Sequence, residues 1–216
     1  IFILPKALRV HKIKTLYDKD KIVYNFANMN KIFPSRNIKS SEEPKPIKRN
    51  IQTVPETFSF EGEMKNLQEY LDYFWSDGMI VIHKDEIVYE NYWLGNNETK
   101  KHISWSVAKS FISALVGIAL EEALMDSLEE PITKYLDDFK DTGYDNVSIK
   151  DILQMSTGVL FNEDYADNNS DINRFGRAIA TGTSMRDFSR TLIRDKEPGT
   201  YMHYAVSYTH LTLPTT

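Results

Sequence analysis

The sequence predicts a fold of the α+β class, and three stretches predict it: a β-hairpin signal at 79–95, an apolar helix from 107 to 124, and two capped helices between 147 and 193. At 216 residues, with 41% hydrophobic and 26% charged side chains, the chain fits one domain or part of a larger one and can bury a real core. Its net charge of -5, with no basic segment interleaved with aromatics, gives no reason to expect nucleic acid as a partner. The first 50 residues carry 12 of the 26 basic side chains and 4 of the 31 acidic ones, so a basic lead-in precedes an acidic body. Without cysteine, disulfides, thiolate metal sites and a cysteine nucleophile are excluded, but the compartment is not fixed.

In chain order, "IFILP" followed by Lys6, Arg9, Lys12 and Lys14 reads either as the stub of an apolar export or anchor segment or as a short apolar stretch of a soluble arm. An anchor upstream of residue 1, and export from the cytoplasm, are slightly favoured expectations. No run of 18 apolar residues exists in the chain. Residues 34–57, with four prolines and many charges, read as an extended connector. "EMKNLQEYLDYFWSD" places Leu67, Tyr70, Leu71 and Phe74 at helical spacing, with Gly78 as the stop. Two β-rich runs then flank Lys84-Asp85-Glu86, and a hairpin of this kind needs further strands to make a sheet.

From Val107 to Leu124 the chain is apolar on nearly every face, which predicts a helix at the centre of a domain. Pro131 is expected to open a short helix. "VSIKDILQMSTGV" reads as a helix capped by Ser148, with Asp151 three residues on, ending at Gly158; in "TSMRDFSRTLI" Thr183 or Ser184 caps. The acidic loop "EDYADNNSD" lacks the glycine and glutamate of a calcium-binding loop and reads as solvated. The histidines at 11, 83, 102, 203 and 210 lack ligand spacing, and no other catalytic signature is present, so neither metal nor cofactor is expected.

Chemistry enters at the head of the apolar helix. Ser106 and Lys109 are three residues apart and would share a helix face, with Ser106 in the first turn, where main-chain N–H groups can stabilise an oxyanion. To serve as a base, a lysine with an ordinary pKa near 10.4 would need a shift of about 3.4 units, roughly 4.6 kcal/mol, of which a helix dipole supplies about 0.3–1. Burial or a second cation must supply the rest, unless the lysine stays charged and acts on another base. The bland alternative is a capping serine with a snorkelling lysine, because Ser-x-x-Lys recurs by chance about once in a chain of this length. The apolar helix behind Lys109 argues for its enclosure. Trp105 reads as core.

"SWSVAKSFISALVGIAL" resembles the S-x-x-K segment of the serine β-lactamase and penicillin-binding superfamily, in particular the branch of 6-aminohexanoate-dimer hydrolases and related carboxylesterases. "FPSRNIKSSEEPKPI", "MIVIHKDEIVYENYWLG", "SLEEPITKYLDDF", "VSIKDILQMSTGVLFNEDYADNNSDI" and "EPGTYMHYA" are similar to further segments of that branch, over about residues 15–205. The resemblance implies an α/β sandwich: a mostly antiparallel sheet with flanking helices plus a helical subdomain, and a site in the cleft between them. It implies a basic arm and connector over 1–57, the N-terminal part of a catalytic domain over 58–205, and a non-family tail over 206–216. It also implies that Ser106 is acylated, that Lys109 activates it, that Tyr204 acts as general base and acid, and that Tyr165 contacts substrate. The expected function is hydrolysis of a small amide or ester through an acyl-enzyme. The alternatives are a non-catalytic penicillin-binding-like module, and a β-lactamase or DD-peptidase proper.

The family pattern asks for Ser or Asn two residues after the tyrosine, and here Val206 stands there. The Lys/His-Thr/Ser-Gly strand that would bring a second oxyanion donor is also missing, a loss on the order of 3 kcal/mol in catalysis. A domain incomplete at that end is expected to leave the apolar helix uncovered, to fold poorly and to be inactive.

Overall fold

The computed structural model describes residues 3–33 and 35–204, the side chains of residues 3–7 excepted. Val206 and residues 206–216, the stretch expected to be a non-family tail, lie outside the described residues. The chain forms two compact units, one spanning Lys14–Ile103 and the other built from the residues on either side of it.

Two helices precede the connector, α1 (Ile3–Lys14) and α2 (Ile22–Ala27). α1 runs across the boundary between the units. In the first unit, buried Asn25 holds the turn before α2 by donating from Nδ2 to the carbonyls of Thr15 and Leu16, at 3.1 Å each. The connector is exposed over residues 35–47, as its prolines and charges predict, but ends in a short strand, β1 (Lys48–Arg49). β2 (Thr57–Phe60) and β3 (Glu63–Asn66) pair antiparallel as a separate hairpin. The expected helix begins at Leu67, the first residue at helical spacing: α3 is Leu67–Tyr73, and the side chain of Asn66 caps it by accepting from the Glu69 N–H at 3.0 Å. The helix ends before Gly78, which instead opens β4 (Gly78–His83). The expected hairpin is present: β4 pairs antiparallel with β5 (Glu86–Tyr92). Its two loop residues, Lys84 and Asp85, both have positive φ (49° and 62°), the turn geometry whose twist matches that of the flanking strands. β1 adds in parallel to β5, giving a three-stranded sheet of order β1-β5-β4. Across it, Arg49 bonds the buried carboxylate of Glu90.

The second unit contains α4 (Ala108–Glu121), α5 (Ile149–Leu153), α6 (Asp171–Thr181) and α7 (Met185–Arg190). Its core gathers Phe139, Val147, Ile149, Ile152, Phe161, Phe175, Phe188 and Leu192, and Val116 of α4 joins it. Ser148, Ser170 and Ser184 cap α5, α6 and α7, each accepting from the N–H three residues on, as the sequence predicts for two of the three. Pro131 lies one position before a short 3-10 turn (Ile132–Lys134) rather than within it, and α5 stops at Leu153, well before Gly158.

α4 is not enclosed on every face as its composition alone implies; it is partly uncovered, as the expectation of an uncovered apolar helix has it. Ile112 and Val116 are buried, but Phe111, Leu115 and Ile118 are 66%, 48% and 51% exposed. The helix packs along one stripe and presents an apolar ridge on the other side. Among the described residues, no helix is long and apolar enough to cross a membrane.

Candidate active site

A 3-10 turn, Trp105–Val107, leads into α4 and holds Ser106 at its middle position. The turn starts from strain: Trp105 has φ +44°, a left-handed backbone that a residue with a bulky side chain adopts only when its surroundings impose it. Trp105 is 46% exposed, which corrects its assignment to the core. The bland reading of the motif also fails. The Ser106 side chain caps neither the turn nor α4, whose N-cap position is Val107. Lys109 does not snorkel to solvent. At 8% exposure it is among the most enclosed side chains of α4, and its Nζ donates to Ser106 Oγ at 3.2 Å.

Tyr204 completes the group from 98 residues away, its hydroxyl 2.5 Å from Ser106 Oγ. Lys109 Nζ lies 5.0 Å from the centroid of the Tyr204 ring, so one ammonium faces both the serine oxygen and the phenol ring. Ser106 is exposed and Tyr204 is 39% exposed, so a solute can approach both hydroxyls while the lysine stays covered. The three residues that the sequence singles out for chemistry are thus brought together.

Tyr204 is delivered by a laced segment. The Leu160 N–H donates to the Ile193 carbonyl, Val159 and Arg194 form an antiparallel bridge, and the N–H groups of Asp195 and Lys196 both donate to the Gly158 carbonyl. The Gly199 N–H then donates to the Ser156 carbonyl and the His203 N–H to the Met155 carbonyl, at 2.8 Å each. Gly158 has φ +71°, and a Cβ there would meet the Lys196 carbonyl oxygen at 2.1 Å, so only glycine lets the two segments approach this closely.

Tyr165 is placed in the loop before α6, 66% exposed, with its hydroxyl donating to Glu163 at 2.9 Å and its carbonyl accepting from Asn173 Nδ2 at 3.1 Å. That amide also reaches the carbonyls of Asp164 and Asp167, at 3.5 and 2.9 Å, and so ties the acidic loop to α6. Sequence reasoning missed Asn173. Among the described residues, no group of His, Cys, Asp or Glu could hold a metal ion.

The chain belongs to the beta-lactamase family, whose model, described as "Beta-lactamase", matches residues 67–211. The chain is 24% identical, over 158 residues, to a 6-aminohexanoate-dimer hydrolase from Paenarthrobacter ureafaciens, a match covering 73% of this chain and 39% of that protein. It also superposes on a solved structure, a putative 6-aminohexanoate-dimer hydrolase from Bacillus anthracis, with a TM-score of 0.80 and 21% identity, covering 91% of this chain and 54% of that one. At that identity the likeness is one of fold, and it bears out the α+β, β-lactamase-like class. The chain spans well under two thirds of the length of either protein.

Proposed function

We propose that the protein is a serine hydrolase that cleaves small amide or ester bonds through an acyl-enzyme on Ser106. One observation carries this: the Ser106 hydroxyl lies between a buried ammonium at 3.2 Å and a phenol oxygen at 2.5 Å. In acylation, Ser106 Oγ attacks the substrate carbonyl carbon as its proton passes to the Tyr204 oxygen, which acts as base once its own proton has left. Lys109 holds positive charge against the serine oxygen and the tyrosine ring while negative charge moves between them. The carbonyl oxygen becomes an oxyanion at the head of the turn, where the Ser106 N–H is the natural donor. Tyr204 then gives its proton to the departing amine nitrogen or alkoxide oxygen, and the acyl group stays on Oγ. Water reverses the sequence: Tyr204 takes a water proton, hydroxide adds to the acyl carbon, and Oγ leaves as it regains a proton. Tyr165, exposed in its loop, is assigned to substrate contact on the resemblance alone.

The relatives' name favours a short amide, and the family's name supports a second reading as a β-lactamase. Intact-mass measurement after incubation with a fluorophosphonate and with a fluorescent penicillin tests the proposal, with Ser106→Ala as control. Label on the wild type from at least one probe, absent in the variant, is the expected result. No label from either would defeat the enzyme reading in favour of a non-catalytic binding module. Turnover of a chromogenic cephalosporin would favour the β-lactamase.

A further inference from the structure

Tyr204 follows a stretch, residues 195–203, that contains no helix or strand element, yet its hydroxyl meets Ser106 at a short distance. What fixes the approach is the residue before it. His203 is held at two points: its main-chain N–H donates to the Met155 carbonyl at 2.8 Å, and its ring Nε2 lies 2.7 Å from the Phe161 carbonyl oxygen. A carbonyl oxygen only accepts, so Nε2 carries a proton in this contact. Both acceptors stand on firm ground. Phe161 is 1% exposed within the core, and Met155 closes the turn after α5 with φ +57°. A single main-chain bond would leave His203 free to swing about it, whereas a second bond from the ring fixes the direction in which the chain leaves toward Tyr204.

We propose that His203 is a positioning residue for Tyr204, with its ring N–H on the Phe161 carbonyl holding the Tyr204 hydroxyl in register with Ser106 Oγ. The inference rests on the acyl-transfer reading above. Its test uses the intact gene product, the rate at which a fluorophosphonate phosphonylates Ser106 with loss of fluoride, per folded molecule, and the probe concentration at half-maximal rate. His203→Leu keeps bulk and removes the donor, while His203→Gln carries an amide N–H to nearly the reach of Nε2. The expected result is phosphonylation slowed roughly 10- to 100-fold in His203→Leu and by no more than about 3-fold in His203→Gln, with the half-maximal concentration unchanged. In a Tyr204→Phe background, His203→Leu should cause no further loss, because it acts only through that hydroxyl.

Phosphonylation of His203→Leu at the wild-type rate per folded molecule, even with a lowered Tm, would make the contact merely structural and overturn the proposal. If His203→Leu does not fold, His203→Asn decides: its amide is too short to reach Phe161, so equal rates in the Gln and Asn variants would overturn the proposal. A wild type that takes no label defeats the acyl-transfer reading itself, and the positioning role with it.

Discussion

Lys109 and Tyr204 reach the same serine oxygen by opposite kinds of route. Lys109 arrives from the first turn of α4, three residues beyond Ser106 in the 3-10 turn that leads into it, and its place is set by that local junction. Tyr204 arrives after 98 residues, through a ladder of main-chain bonds between residues 155–160 and 193–203. The local route is robust and visible in sequence; the long one depends on many small contacts, each open to disruption. An active site of this design should therefore lose its tyrosine long before it loses its lysine.

The sharpest way to test that comparison is to remove each partner. Lys109→Ala and Tyr204→Phe should each slow acylation by roughly 10³-fold, and the double variant should be little slower than either, because the two act on one proton transfer. Stopped-flow labelling measures all three. Next, Gly158→Ala should break the long route alone. It forces a side chain into a left-handed backbone and against the Lys196 carbonyl, at a cost of about 3 kcal/mol. Urea denaturation should show that loss, and acylation should fall toward the Tyr204→Phe level.

A milder disturbance is Ser148→Ala, which uncaps α5 just before Met155 and removes a hydroxyl bonded to Asp151 at 2.6 Å. Thermal unfolding should register about 1 kcal/mol. Farther from both routes, Arg186 grips Asp138 through two nitrogens and holds its carboxyl below the usual carboxylate range. A depressed folded-state pKa contributes stability above the unfolded value near 3.9 and loses it as pH falls through the folded one. Acid titration from about pH 5 downward should therefore destabilise the wild type more steeply than Arg186→Gln, by at most about 1 kcal/mol for this half-exposed pair. The smallest effect belongs to the exposed ridge of α4, where Phe111→Ser should change stability by under about 0.5 kcal/mol.

The same contrast governs what could be read in advance. Ser106 and Lys109 were legible because helical periodicity ties spacing to proximity, and Ser148 and Ser184 because caps announce themselves by residue type. Tyr204 was found only by resemblance, since nothing in its spacing points back to residue 106. α6 was overlooked among its polar neighbours, although Ile172, Phe175 and Ile179 carry helical spacing and all pack on the core. β1 is two basic residues long and left no pattern to find. The partners of His203 are main-chain carbonyls, which every residue possesses, so no sequence signal marks them. For α4 an all-round apolar composition implies burial on all sides, and the one covered stripe agrees instead with the expectation of an uncovered helix.

The bond from the His203 amide to Met155 has a consequence in time as well as in space. That amide can exchange its hydrogen for deuterium only when the last rung of the ladder opens, so its exchange rate counts how often Tyr204 is released. Each opening leaves Ser106 with its lysine but without its tyrosine. A single amide, followed by mass spectrometry or NMR, therefore gives the fraction of molecules ready to react at any instant.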